Sequence, residues 1–557
     1  MAGWSLKQIA KLAVCSVGVL LGACGDISQR EVSVEKFGAL PDDGQNDFEA
    51  LRRATDYCRE NPGTTLRFPA GQYDIDHPLA RKIEFEAISG AYGERVQATL
   101  FRPDAPYVKA VELAGCDNTT IKAQGATLML HGWYEVLSIE RAEGVTIEGI
   151  SIRYNRPPAT IGRVVESTKE WFDAEFDTVR YGFITERVTG RLHLFDHVRN
   201  RLYTGWAKSK ELTAAGKIRF QSSAQPAVGD YFVLRHGGHY RPAVMIRECE
   251  DITLRDVKIH SQPGMGVVGH LTRDIMIDNL QVVPEAGSVI STNTDATHFT
   301  SCSGTVTIQN SKFKGQGDDC TNIHGYYYRI YPEEDGRVEM RIEGADLHAQ
   351  WLDYPQKGDT MVVINSRSMA EQARYVVQSV DTSLMNWTVK VGLDRPIEFE
   401  NPSDYYMWNR SRFPRVRILN NSVHSHLARS FLIKSRDVVI AGNCIQNSTL
   451  TAIKLGAELG WRESGPAENV LVENNYITDC GYVSGADAPS CITLSTEALE
   501  RPPYLNRNIV IRNNVFDTDK RVAVLLRDAE NVEVSNNMTT HPNYVRVENC
   551  QNIEIAE

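Results

Sequence analysis

The sequence predicts an all-β protein, a right-handed parallel β-helix with an N-terminal cap and two inserted small β-barrel domains. Three observations carry this prediction. A short triplet of alternating β-branched residues, usually followed by Asn, recurs along the chain; its copies keep a nearly constant interval; and two intervals that break the rule obey it once a compact segment is removed from each.

The triplet stands as "VTIEG" at 145, "ITLRD" at 252, "IMIDN" at 275, "VTIQN" at 306, "VRILNN" at 416, "VVIAGN" at 438, "VLVENN" at 470, "IVIRNN" at 509, "VEVSNN" at 532 and "IEI" at 553. Alternation over three to five residues closed by Asn or Gly is a strand followed by a turn. The interval is 23 residues from 252 to 275, 22 from 416 to 438, 23 from 509 to 532 and 21 from 532 to 553. That is one turn of a stacked coil, and intervals of 32 and 39 elsewhere are turns with longer loops. Asn suits the corner because it tolerates left-handed backbone and can stack its amide on the next turn. A leucine-rich repeat has a similar period, but its Leu-rich consensus is absent.

The 110 residues from 306 to 416 reduce to 23 when 87 (326–412) are set aside, and the 107 from 145 to 252 reduce to 24 without 83 (160–242). Each segment holds short alternating runs and a Gly-Asp before a strand, "VGDYFVLRH" at 228 and "KGDTMVVIN" at 357. They are read as two related barrels. The organisation expected is therefore a cap with the first turns (31–159), barrel one (160–242), the middle turns (243–325), barrel two (326–412) and the last turns (413–557). Within "FGALPDDGQNDFEALRRATDYCRENPGTTLRFPAGQYDI" (37–75) an amphipathic helix over roughly 47–60 precedes a strand after Gly63. This resembles the N-terminal cap of pectate-lyase-like β-helix proteins, and an open coil end needs a cover for its unpaired backbone.

Before the cap, Lys7 and Lys11 precede the apolar run "LAVCSVGVLLGAC", short for a membrane span and suited to a signal peptide. Its end, Leu21-Gly22-Ala23-Cys24, resembles a bacterial lipobox, which implies a lipid on Cys24, residues 1–24 outside the fold, and a membrane anchor in the cell envelope, on the periplasmic or outer face. The alternative is an ordinary signal peptide with a chance cysteine. Nine further cysteines are scattered without a CxxC pair, which favours neither zinc nor a disulfide framework. The chain has 557 residues, 42% of them hydrophobic, and a formal charge of -11 that argues against nucleic acid as partner.

Chemistry concentrates in "STNTDATHF" (291–299) and "GQGDDCTNIHG" (315–325). Asp295 precedes Asp318 by 23 residues, one turn, so Asp295, Asp318 and Asp319 are expected on one face, with His298 and His324 alongside. Adjacent residues on a regular strand point to opposite sides, so the GDD stretch must bend, and Gly315 and Gly317 permit it. Crowded carboxylates push their pKa values apart, which supplies a proton donor beside a base. An exposed aspartate ladder or a cation site is the plain alternative. No nucleotide, metal or organic cofactor motif is visible; "GQGDD" is not a dinucleotide fingerprint because no helix follows it.

"NTD" (293–295) and "GDDC" (317–320) followed by His324-Gly325 resemble the active-site motifs of glycoside hydrolase family 28, the polygalacturonases. The fuller pattern, "NTDATHFTSCSG", "GQGDDCTNIHG", the cap and two barrel insertions, resembles glycoside hydrolase family 110, bacterial exo-α-1,3-galactosidases acting on blood group B type and linear α-galactosyl glycans. Polygalacturonases carry Arg-Ile-Lys where this chain has "SFLIKS", with Leu432 in the arginine position and Lys434 kept. A uronate would lose its guanidinium there, which favours a neutral sugar.

Both families invert the anomeric configuration, so the resemblance implies Asp318 as general acid and Asp295 with Asp319 as the base. Inverting sites generally hold their carboxylates about 6.5–9.5 Å apart. One of the GDD pair must then splay from Asp295. His298, His324, Arg235, His239 and Lys434 are the sugar-binding candidates, an α-galactosyl glycan the expected partner, and a homo-oligomer a further possibility. A polygalacturonase-like hydrolase, a calcium-dependent lyase and a non-catalytic glycan-binding β-helix are the rival readings.

Overall fold

The computed structural model describes residues 30–556 except 94–95, 101–103, 186, 344–351, 384–387, 400 and 502–503, with backbone alone at 97 and 98. The leader and Cys24 lie outside the described residues.

The protein is a parallel β-helix. The first residues of all ten triplets stand in one column of hydrogen-bonded strands: Val145, Ile252, Ile275, Val306, Val416, Val438, Val470, Ile509, Val532 and Ile553. The column runs across both insertions, since Val145 pairs Ile252 and Val306 pairs Val416. Except in the last triplet, where Ile553 is partly buried and Ile555 exposed, their side chains and the aliphatic residues two positions on line the inside of the coil, each buried Val or Ile contributing about 1.5–3 kcal/mol. A typical turn adds two further strands. One lies in the same 23-stranded sheet; the other belongs to an 11-stranded sheet of short strands from Gly71–Asp76 to Met538–Thr539.

The paired asparagines divide the corner between them. Asn420, Asn474, Asn513 and Asn536 take left-handed backbone, with φ between 53° and 56°. The residues after them stack: Nδ2 of Asn421 donates to Oδ1 of Asn443 (3.0 Å), Asn443 to Asn475, Asn475 to Asn514 and Asn514 to Asn537 (2.9 Å each). Each ladder oxygen also accepts the backbone N–H of the preceding ladder residue, so a buried corner has no orphan donor.

The cap contains the expected helix, Phe48–Glu60, which buries Ala50, Leu51, Ala54 and Cys58 against the coil end. A second helix, Pro78–Ser89, was not anticipated. Its signals are local: Pro78 in the first turn, the His77 ring accepting Leu79 N–H (3.2 Å), and Gly90 at φ 81° closing it. It sits where any side chain on Gly132 would strike the Ala80 backbone.

Both inserts are antiparallel and have cores of their own. The second closes into a six-stranded barrel between Tyr328 and Asn409. In the first, Ala159 to Arg235 form a seven-stranded sheet whose two edge strands do not pair with each other among the described residues. One edge strand, Arg201–Thr204, packs on the coil strands Ser422–His426 and Cys444–Ser448, so that edge is covered without meeting the other. The opposite edge, Ser209–Ala214, is polar and solvated. The two Gly-Asp turns are alike: Gly229 and Gly358 have φ 95° and 92°, and Asp230 and Asp359 each accept the N–H three residues earlier at 2.8 Å. All nine described cysteines are free, and seven are buried.

Candidate active site

Three neighbouring strands of one face, Thr297–Thr300, Thr321–Tyr326 and Phe431–Ile433, build the site from the residues just ahead of them. Thr297 pairs Thr321 and Thr321 pairs Phe431. Counting back in that register sets Asp319, not Asp318, beside Asp295, and Arg429 beside Asp319. The backbone agrees: Ala296 N–H donates to the Asp319 carbonyl (3.2 Å) and Cys320 N–H to that of Arg429 (3.0 Å). The one-turn spacing of 23 between Asp295 and Asp318 is therefore corrected to 24, with Asp319 as the neighbour. Asp318 is the extra residue of a tight turn and is half-exposed, while Asp295 and Asp319 are 4% exposed.

This is how adjacent acids reach one face. Gly317 leaves no room for a side chain, since a Cβ there would lie 2.3 Å from the Arg235 guanidinium and 2.4 Å from the Asn293 carbonyl. Each of the three carboxylates offers an oxygen within 4.8 Å of the others. Such closeness also serves cations, and one guanidinium of the protein reaches the cluster. The Arg429 Nε stands 3.2 Å from Asp319 Oδ1, which also accepts the Arg429 backbone N–H at 2.7 Å.

Burial raises the pKa of Asp295 well above its ordinary value, helped by Asp318 and Glu463; burial raises Asp319 likewise, opposed by Arg429. Asp295 Oδ2 lies 2.7 Å from His298 Nδ1, His298 Nε2 lies 3.0 Å from His324 Nε2, and His324 Nδ1 lies 2.7 Å from the Gly325 carbonyl. Burial pulls His298 down to about 4 and His324 to about 3.

The other anticipated residues fall into distinct places. Arg235 ends the first insert and is buried; its Nη1 donates to the Gly317 carbonyl (2.7 Å) and to that of Asn293, clamping both acidic turns. Burial, then Arg191, lower its pKa to about 10. Lys434 is fully buried and donates to Asn322 Oδ1 (3.1 Å) and Glu463, with Glu458 at 3.3 Å. His239 lies half-buried on the segment returning from the first insert to the coil.

Sequence reasoning missed Arg429, Glu458, Glu463 and His426. Arg429 was within reach: it follows Asp319 by 110 residues, the interval between the triplets at 306 and 416. Its guanidinium is spent within the protein, on Asp319 and on Glu458 at 3.1 Å. Glu463 arrives on a short strand running antiparallel to Thr321–Tyr326, a contact with no periodic signature. Against the opposing effect of burial, Lys434, which also hydrogen-bonds it, holds Glu463 below the usual carboxylate range. His426 is buried behind Asp318, and burial lowers it to about 4.

The region bearing these acids, residues 235–333, matches the family model "Glycosyl hydrolases family 28". The chain is 26% identical to "Alpha-1,3-galactosidase A" of Shewanella woodyi over 92% of this chain and 86% of that protein. It is 28% identical to the protein of that name from Bacteroides fragilis (87% and 83% covered), and 25% identical to "Alpha-1,3-galactosidase B" of Bacteroides thetaiotaomicron (99% and 94%). The chain is a glycoside hydrolase. Among solved structures, the hydrolase is similar to the exopolygalacturonase of Thermotoga maritima (TM-score 0.41, 12% identity, 95% and 92% covered), though its own strand pairing is what establishes the coil. A glycosidase generally works with a carboxyl pair flanking the scissile bond, and Asp295, Asp318 and Asp319 gather three carboxyl groups in the matched region.

Proposed function

We propose that this hydrolase is an inverting exo-α-galactosidase that removes terminal α-1,3-linked galactose from blood group B type or linear α-galactosyl glycans. The likeness to proteins named α-1,3-galactosidase, extending over most of both chains, carries the reading. The charge balance supports a neutral sugar. Five carboxyl groups, Asp295, Asp318, Asp319, Glu458 and Glu463, gather round Arg429 and Lys434, and each of the two cations is paired internally. A uronate entering there would meet five carboxyl groups beside two cations that are already ion-paired.

In this reading Asp318, the half-exposed member, protonates the glycosidic oxygen, and the Asp295 and Asp319 side activates water. Inversion follows from the family resemblance. Each acid offers one oxygen within 4.8 Å of the others, whereas the carboxyl groups of inverting enzymes generally stand roughly 6.5–9.5 Å apart. The anomer of the first-formed product therefore decides. Galactose release from Gal-α-1,3-Gal and from a blood group B trisaccharide, followed by proton NMR with Asp318→Asn in parallel, is expected to give β-galactose that vanishes in the variant. First-formed α-galactose would replace inversion by retention, and no release from either sugar would reject the α-1,3-galactosidase reading.

Cys24 is proposed to carry a lipid that holds the enzyme at the bacterial envelope. Cys24→Ser is expected to lose incorporation of labelled palmitate and to move the protein from the membrane to the soluble fraction; unchanged membrane partition would reject the anchor.

A further inference from the structure

We infer that His298 and His324 are positioning residues that form a proton relay, keeping a proton on the Asp295–His298 pair and leaving Asp319 as the carboxylate that activates water. The inference rests on the glycosidase reading above and assigns what that reading leaves shared between two acids.

The argument is a count of protons along three contacts. A backbone carbonyl only accepts, so at 2.7 Å from the Gly325 oxygen His324 carries its proton on Nδ1. A neutral His324 then has a bare Nε2. Its partner at 3.0 Å, His298 Nε2, must donate. A neutral His298 then presents a bare Nδ1 to Asp295 Oδ2 at 2.7 Å, and that contact too needs a proton, which Asp295 must bring. With Asp295 ionised and both rings neutral, one of the three contacts would set lone pair against lone pair.

The surroundings fit neutral rings. The side chains of Asp295, His298 and His324 are 6%, 14% and 2% exposed, and burial disfavours charge on all three. The groups facing the relay are Asp318 and Asp319 from the acidic turn, Arg429 and Lys434 from the next turn, Glu463 from the antiparallel strand and Tyr326, whose ring packs edge-on against His324. Glu463 Oε1 is 3.6 Å from His324 Nε2, the one contact that could call a second proton onto His324. That oxygen already accepts from Asn322 Nδ2 at 3.1 Å, and Lys434 pairs the other. Of the three acids, Asp319 is the one that faces a guanidinium, Arg429, which opposes the burial that raises it and favours the negative charge there. The step balances: Asp319 takes a proton from water, the water oxygen bonds the anomeric carbon, the glycosidic C–O bond breaks, and its oxygen takes the Asp318 proton.

Two measurements test this on the full chain. In the ¹⁵N-histidine-labelled wild type, with His324 assigned by the signals lost in His324→Gln, the ring is expected as the Nδ1–H tautomer with a bare Nε2. An Nε2–H or doubly protonated His324 would overturn the relay, whatever the enzyme cleaves. In His324→Gln the amide can donate to His298 Nε2, so that Nδ1–H faces an ionised Asp295. The added negative charge raises Asp319, and the acid limb of kcat/KM is then expected to move up by about one pH unit, roughly a tenfold loss below that limb. An unmoved profile, or a downward shift of the acid limb instead, would overturn the assignment. Absence of α-1,3-galactosidase activity in the wild type would reject the substrate reading while leaving the tautomer test standing.

Discussion

Replacing Arg429 by Met removes one charge from Asp319 and keeps the fold of its turn. The guanidinium Nε lies 3.2 Å from Asp319 Oδ1, while the 2.7 Å bond from the Arg429 backbone N–H to the same oxygen survives the substitution. A cation at this range holds a carboxyl down by about 1–3 pKa units, so its loss lets the burial that already raises Asp319 act unopposed. A base works ionised. With its pKa raised, the ionised fraction at a given pH falls, and the acid limb of kcat/KM moves up by about 1–3 units. Well below the new limb the rate drops about 10- to 1000-fold, and above it the rate recovers. Glu458, the other partner, keeps Lys434 at 3.3 Å, so Asp319 is the one acid left without its cation. The assay is kcat/KM against pH on Gal-α-1,3-Gal, with thermal unfolding as the folding control. Equal loss at every pH in a folded protein, or an unmoved acid limb, would refute the assignment of Asp319 as base.

Three further outcomes follow from single contacts. Gly317→Ala places a methyl 2.3 Å from the Arg235 guanidinium and 2.4 Å from a backbone oxygen; kcat/KM is expected to fall about 100-fold or more as the acidic turn shifts, whereas Gly485→Ala, with nothing within 4 Å, stays near wild type. Arg235→Met frees the Gly317 and Asn293 carbonyls and is expected to cost activity more than affinity, read as a fall in kcat at nearly constant KM. Asn443→Ala breaks the buried ladder and orphans the Asn421 N–H, with an expected loss of about 2–4 kcal/mol in urea unfolding; Asn531→Ala, in the solvated ladder beside it, is expected to cost under about 1 kcal/mol.

The coil was legible because a β-helix is close to one-dimensional: each turn touches only its neighbours, so an interval in sequence is a contact in space. That is why ten triplets picked out by alternation stand in one column, and why setting aside one segment at each break recovers the pairing of Val145 with Ile252 and Val306 with Val416. The same regularity brought the three acids together. It failed by one residue at the GDD turn, where the chain leaves strand geometry and the count that holds within strands no longer applies.

By itself, then, the sequence determined the stacked coil, its cap helix, the places of the two insertions and the acidic face, since all of these are written in local periodicity. Only the tertiary structure decided which acid stands beside Asp295, that Arg235 clamps the acidic turns from an inserted domain, and that Glu458 and Glu463 close over Lys434 from a returning loop. Those contacts join segments with no common period, and the direction of a side chain at a turn is set by what packs against it, not by its distance along the chain.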